Sequence, residues 1–272
     1  MSDETPDLNL RPNGPLYKYL PLGHGDDDHR QRMAWLTDLV THGKVWLSSP
    51  LDFNDPFDSY PSPEEPQSRL KWEFETKKML RRLASLLPPE MAREAALNFP
   101  RYTRAQLSAL LKQAARATTA ELGVYCLTES PDSPTMWAHY ADNGRGVCVR
   151  FRLEQEPISH LHAVVKVHYT DERPRIPLMS AGENGDEVYN ALRTKATHWR
   201  YEQEWRCIMA AGAHKTMLVH PVVIDSIIFG FNCPADHREE IKQMVRATGR
   251  AFSFFSIRPC DQTFSLILNP EP

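Results

Sequence analysis

"LGVYCLTESPDSPTMWAHYADNGRGVCVRFRL" occupies residues 122–153, and its reading decides the fold. "LGVYCLTES" is rich in β-branched and aromatic residues and reads as a strand. Ser133 followed by Pro134 is a helix start, since proline at the first turn has no N–H to leave unpaired. The helix is short. Met136 and Tyr140 share one face, and Trp137 and Ala141 share the next. Asn143-Gly144 then turns tightly into "RGVCVRFRL", a second strand. Its glycines serve the turn. A GxG that enters a strand rather than a helix is no dinucleotide fingerprint.

Working toward the C-terminus, "HAVVKVHYT" (162–170) reads as a strand, "GDEVYNALRTKATHW" (185–199) as a helix and "EWRCIMA" (204–210) as a strand with alternating faces. "VVIDSIIFGFNC" (222–233) is a buried strand and turn. "PADHREEIKQMVRATG" (234–249) is a helix with Pro234 in its first turn and Gly249 beyond its end. "AFSFFSI" (251–257) and "TFSLIL" (263–268) are closing strands.

Toward the N-terminus, "VWLSS" (45–49) and "LYKYLP" (16–21) are strands, and "DDDHRQRMAWLTDLVTHGK" (26–44) lies between them as a helix. Its aspartates suit the positive end of the helix dipole. Met33, Leu36 and Val40 fall at helical spacing, and Gly43 suits the cap. "PLDFNDPFDSYPSPEEP" (50–66) is an irregular loop with five prolines. Residues 67–119 read as a helical insertion, broken at 88–89 and 99–103. Residues 1–14 read as a disordered lead-in. The expectation is a single α+β domain over 15–272, with a mixed or antiparallel β core that carries the insertion.

The 272 residues carry 41% hydrophobic and 25% charged residues, an ordinary globular balance. The net charge of −3 does not argue for nucleic acid, although a local basic patch stays compatible with it. Five cysteines at 126, 148, 207, 233 and 260 contain no CxxC. That spacing fits a reducing compartment and makes neither a zinc site nor a disulfide framework. The acidic start is not a signal peptide, and no apolar run has the length of a membrane span. A soluble, cytoplasmic protein without membrane partners is expected.

Two segments carry candidate chemistry. In "YEQEWR" (201–206), a strand's period of two would put Glu202, Glu204 and Arg206 on one face and Tyr201, Gln203 and Trp205 on the other. Two carboxylates on one face repel unless a cation intervenes. The plainer reading is an edge strand with a Glu–Arg pair. The company of Tyr, Trp and Arg points to a site. In "FNDPFD" (53–58), Asn54 and Asp55 can bond their own backbone, and Pro56 fixes the turn. The same loop can hold Asp55 toward a ligand. His160 and His162 form an HxH, a weak zinc-like pattern, and no metal is expected overall.

"LYKYLP", "VWLSSPLDFNDPFD" and "MWAHYADNGRGVCVRF" with "YEQEWR" together resemble the bacterial DUF2971 family, which implies no activity. The order of the short motifs also resembles that of mono-ADP-ribosyltransferases. Those enzymes have a split β core with a basic residue on the first strand, a Ser-Thr-Ser-like strand and a late Glu-x-Glu. The resemblance implies a metal-free, NAD-consuming transferase or NAD glycohydrolase. Its acceptor is an unknown macromolecule or small molecule. Lys18, beside Tyr17, would contact the nicotinamide ribose or a phosphate. Ser48 and Ser49 would shape the nicotinamide pocket, with Trp137, His139 or Tyr140 beside the ring. Glu204 would stabilise the oxocarbenium ion, and Glu202 would orient or deprotonate the acceptor. Lys stands here where the family has Arg or His, and Leu-Ser-Ser-Pro replaces Ser-Thr-Ser. Two alternatives stay open. One is a non-catalytic binding or effector module, of a defence or toxin-like kind, that uses the 50–66 loop and the insertion. The other is a nuclease using His139, Asp55, Glu202 and Glu204 with a divalent ion.

Overall fold

A computed structural model describes residues 12–86, 89–98, 103–153, 164–177 and 185–272. The lead-in expected at 1–14 therefore falls mostly outside the described residues, as do His160 and His162. The fold is α+β, with a mixed sheet of mostly antiparallel strands. The chain gathers into two compact units. The first comprises Met1–Ser48, Gly123–His168 and His198–Pro272, and the second Ser49–Leu122 and Tyr169–Thr197.

The first unit is built on eight strands. In chain order these are β1 (Leu16–Leu20), β4 (Gly123–Thr128), β5 (Val147–Phe151), β6 (Val165–Lys166), β10 (Glu204–Met209), β12 (Ile224–Phe229), β13 (Ser253–Pro259) and β14 (Leu266–Glu271). Across the sheet they run β14-β13-β12-β5-β1-β4-β10-β6. β12 and β13 are parallel, joined by helix α7 (Ala235–Arg246), and every other pair is antiparallel. A separate ribbon pairs β2 (Lys44–Leu47) with β11 (Lys215–Leu218).

Cross-strand partners share a face, so the register sorts the side chains. Leu16, Leu20, Tyr125, Leu127, Val147, Val149, Phe151, Trp205, Cys207, Ile227 and Phe229 lie on one face. They pack with Met33, Leu36, Leu39 and Val40 of α1 (Asp26–His42) and with Ile241 and Val245 of α7. Each such side chain contributes about 1.5–3 kcal/mol over its exposed state. On the other face, Tyr19, Cys148, Ile228 and Ile257 pack under α5 (Pro134–Tyr140) through Met136, Trp137 and Ala141. Ser133 caps α5, its hydroxyl accepting from the Met136 N–H.

Gly43 ends α1 at φ 66°. A Cβ there would lie 1.8 Å from the Val219 carbonyl oxygen, so both the conformation and the approach require glycine.

The second unit holds α2 (Arg69–Leu86), α3 (Pro89–Asn98) and α4 (Arg104–Ala120), and the breaks expected at 88–89 and 99–103 fall mostly outside the described residues. Thr103 and Gln106 cap α4 reciprocally. Short strands β3 (Ser62–Glu64) and β8 (Arg175–Pro177) pair in parallel, and β7 (His168–Thr170) pairs with β9 (Thr194–Ala196). The "FNDPFD" turn is self-bonded, with the Phe57 N–H donating to Asp55 Oδ1 at 2.9 Å.

Three expectations are corrected. The helix expected over 185–199 stops after α6 (Gly185–Leu192). Thr194 turns its hydroxyl back to the Asn190 carbonyl (2.6 Å), and Lys195 leaves the helix to reach buried Asp58 at 3.3 Å. The strand expected over 162–170 is divided between β6 and β7, where the Val167 N–H donates to the Glu204 carbonyl (2.9 Å). The strand expected over 204–210 is β10, but a strand through the whole of "YEQEWR", the condition for Glu202 and Glu204 to share a face, does not form. Thr197–Glu202 is a 3-10 helix, and Gln203 has φ 44°.

Candidate active site

The left-handed turn at Gln203 makes the two glutamates unlike. Period two no longer relates them. Glu204 opens β10 opposite Thr128 and shares its face with Arg206, two residues on. Arg206 grips it with two parallel bonds, Nε to Oε1 at 2.8 Å and Nη2 to Oε2 at 2.9 Å. Glu204 is 4% exposed and Arg206 is 0% exposed. The plainer reading of the pair as Glu–Arg is therefore right about the partners. It is wrong about solvent, because the bridge is buried and β6 covers the edge of β10. Cys126 lies beside it. Burial, together with the Glu204 charge, holds the Cys126 thiol protonated.

Glu202 ends the 3-10 helix. It is buried too, and Oε1 accepts from the Tyr140 hydroxyl at 2.6 Å. The Thr128 hydroxyl donates to the Glu202 carbonyl and so ties the turn to the end of β4. Tyr140 belongs to a group of rings. His139 is exposed and sits edge-on to Tyr140, Trp199 and Tyr201, with centroids 6.0, 6.4 and 6.1 Å away. Its Nδ1 shares a hydrogen bond with the Tyr201 hydroxyl at 3.1 Å. His198 lies 5.6 Å from Trp199. The result is a cluster of rings joined to a buried carboxylate through the Tyr140 hydroxyl. Ring faces attract a planar cation, and the two tyrosines and the histidine can move protons.

The other candidates are distributed as follows. Tyr17 lies on the Glu204 face, since Glu204 pairs with Thr128 and Thr128 pairs with Tyr17. Burial raises the Tyr17 pKa, and the Arg150 charge opposes the rise. Lys18 is on the opposite face with Leu16 and Val149. Its ammonium donates to the Cys126 carbonyl (3.0 Å) and sits 4.9 Å from the Tyr125 ring centroid. Lys18 and Glu204 thus leave the sheet on opposite sides, and one ribose cannot lie between them.

Ser48 bridges the backbone of Val124, four residues along β4 from Thr128, which is roughly 13 Å at about 3.3 Å per residue. Ser49 caps a short 3-10 helix, and its hydroxyl donates to the Ala120 carbonyl (2.9 Å). Trp137 is fully buried. It packs edge-on to Tyr19 at 5.0 Å and donates to the Pro131 carbonyl, so it offers a ligand no ring face. Asn54 and Asp55 belong to the second unit, where Asn54 is exposed and Asp55 is buried.

Tyr201 and Trp199 enter the site although neither was a candidate. Their signal was adjacency to Glu202, hidden by the assumption that Tyr201 sat on a strand facing away from it. Among the described residues no three His, Cys, Asp or Glu side chains gather as a metal-donor set. No helix among them is long and apolar enough to cross a membrane.

No curated protein and no solved structure matches the chain. Residues 136–207, which run from α5 through the glutamates to Cys207, match the family described as "Protein of unknown function (DUF2971)".

Proposed function

We propose that the ring cluster joined to Glu202 through Tyr140 binds the nicotinamide end of NAD and that the protein consumes NAD, as a transferase to an unknown acceptor or as a glycohydrolase. One observation carries this reading: a buried carboxylate bonded at 2.6 Å to Tyr140, whose ring meets His139, which in turn meets Trp199 and Tyr201. The nicotinamide ring of NAD is a planar cation and suits ring faces. In the reaction the bond from ribose C1′ to the ring nitrogen breaks, and its electron pair neutralises the pyridinium. Positive charge moves to the ribose as an oxocarbenium ion. The acceptor, or water, bonds to C1′ and loses a proton.

Glu202, acting through Tyr140, takes the stabilising role that the motif order assigned to Glu204. Glu204 is held by Arg206 and keeps the strand in place. His139 would receive the acceptor's proton.

The test is nicotinamide release from NAD by the full chain, followed by chromatography. Glu202→Gln should lower the rate on the order of a hundredfold. Its amide oxygen still accepts from Tyr140, so the fold is expected to persist. Absence of release, with no NAD binding by calorimetry, would sink the reading.

A second reading, a binding module, draws on the second unit. There Phe57 is 57% exposed on the "FNDPFD" turn, with the Arg173 guanidinium 5.2 Å from its ring centroid. It expects Phe57→Ala to abolish the biological effect and Glu202→Gln to leave it unchanged.

A further inference from the structure

We infer that Thr128 is a positioning residue of the proposed reaction: it holds the turn that presents the Glu202 carboxylate. This inference rests on the NAD reading. Its ground is the backbone at Gln203. That residue is left-handed, at φ 44°, a region that a residue with a Cβ rarely adopts. Such a turn persists where its surroundings hold it. Three bonds contribute here. The Gln203 N–H donates to the Arg200 carbonyl at 3.2 Å, and the Glu129 N–H donates to the Gln203 carbonyl at 3.2 Å. The third is the Thr128 hydroxyl on the Glu202 carbonyl, in the peptide that enters the left-handed residue.

Of these three, the Thr128 bond alone comes from a side chain, so it is the one a substitution removes. Thr128 is 2% exposed, at the end of β4, between Tyr17 and Glu204 in the cross-strand row. A hydroxyl has one proton to donate, and this one goes to the Glu202 carbonyl. Its oxygen accepts from the Ser130 N–H at 3.0 Å, which fixes the direction of the hydroxyl. Beyond the turn, the Glu202 carboxylate meets the Tyr140 hydroxyl at 2.6 Å. Tyr140 belongs to α5 and Glu202 to the 3-10 helix, so their meeting depends on where the turn sets Glu202. Valine at 128 keeps the shape of threonine and lacks the hydroxyl. Without that bond Gln203 can relax to an ordinary conformation, which draws Glu202 away from Tyr140. Serine at 128 keeps the bond. Glycine at 203 takes the left-handed conformation without support.

The experiment uses the full chain and two readouts. In nicotinamide release from NAD, Thr128→Val should lower kcat on the order of tenfold, the effect of a misplaced group. KM should stay within about twofold, since the rings of His139, Tyr140, Trp199 and Tyr201 remain. Thr128→Ser should return kcat to within about threefold of the native chain, and Gln203→Gly added to Thr128→Val should restore much of the loss. A merely structural threonine would change the folded fraction, and neither the kcat of folded protein nor its rescue by glycine would move. In guanidinium unfolding, Tyr140→Phe should lower the folding constant about tenfold or more in the native chain, and by at least about threefold less in Thr128→Val. That coupling needs no NAD. An unchanged kcat in Thr128→Val, no rescue by serine, or stability losses that add within about twofold refutes the positioning role, even where NAD is consumed. If Thr128→Val does not fold and Gln203→Gly does not rescue it, Thr128 is a residue of the core and the role is refuted. If the native chain never releases nicotinamide, the enzymatic reading falls, and the coupling of Thr128 to Tyr140 alone decides whether Thr128 sets Glu202.

Discussion

Arg206→Met is the most direct probe of how the two glutamates divide their roles. The substitution keeps the apolar stem and removes the guanidinium. Arg206 is fully buried, and Glu204 holds it with two bonds at 2.8 and 2.9 Å. Removing the cation leaves a buried carboxylate with its main partner gone, and breaking a buried pair in this way costs about 3–5 kcal/mol. Counting the two bonds separately, at about 1.5–3 kcal/mol for each hydrogen bond to a charged group, gives a similar size. Folded proteins have about 5–15 kcal/mol in total, so the loss should be plain. Guanidinium unfolding followed by tryptophan fluorescence reads it, because Trp137 and Trp205 are buried in the unit that holds the pair. The double variant Glu204→Met with Arg206→Met removes both charges and should recover most of the loss. Glu204→Gln, though nearly isosteric, turns an NH2 toward the guanidinium and should also destabilise. A single-variant cost below about 1 kcal/mol, or a double variant worse than the sum of the singles, would refute the assignment of Glu204 as structural.

Tyr140→Phe removes the donor to Glu202 and should cost about 1.5–3 kcal/mol by the same unfolding measurement, as well as slowing nicotinamide release. Equal stability and equal rate would remove Tyr140 from the site. The Thr263 hydroxyl, with the backbone N–H groups of Gln262 and Thr263 and the Ser265 hydroxyl, lowers the Cys260 thiol to about 7. Below that pH it is a thiol and above it a thiolate, so iodoacetamide labelling should reach half its maximum near pH 7 and vanish in Cys260→Ser. Burial pushes Cys233 up to about 11, so that residue should stay unlabelled at pH 8, and peptide mapping separates the two. Gly43→Ala should destabilise by about 1–3 kcal/mol or more, since it meets the Val219 carbonyl at positive φ. A neutral result in chemical denaturation would contradict that backbone approach.

The regular elements were legible where one physical signal dominated. Met33, Leu36 and Val40 gave α1 its buried stripe, and Gly43 its end. Ser133-Pro134 gave the start of α5, and Pro89 and Thr103 stand at the starts of α3 and α4. Tertiary contacts decided the failures. The helix over 185–199 ends early because Lys195 has a buried carboxylate to reach. The start of β10 at Glu204 is where the strand over 204–210 is expected; the turn before it was not legible, because Gln203 is left-handed, a conformation that glutamine does not advertise. That one residue takes Glu202 out of the strand and ends the period-two relation between the two glutamates.

The separation of Lys18 from Glu204, by contrast, was readable before any coordinates. In "LYKYL" the two leucines share parity with Lys18, and in "EWRCIM" Trp205 and Cys207 share the parity that Glu204 lacks. If the apolar parity of each strand faces the larger core, Lys18 goes with that core and Glu204 goes away from it. The register bears this out, with Lys18 opposite Val149 and Glu204 opposite Thr128. The first-strand residue on the side of the glutamates is therefore Tyr17, about 10 Å from Glu204 across two strand spacings. On this face the first strand therefore offers a ring and a hydroxyl where the transferase motif order would place a cation.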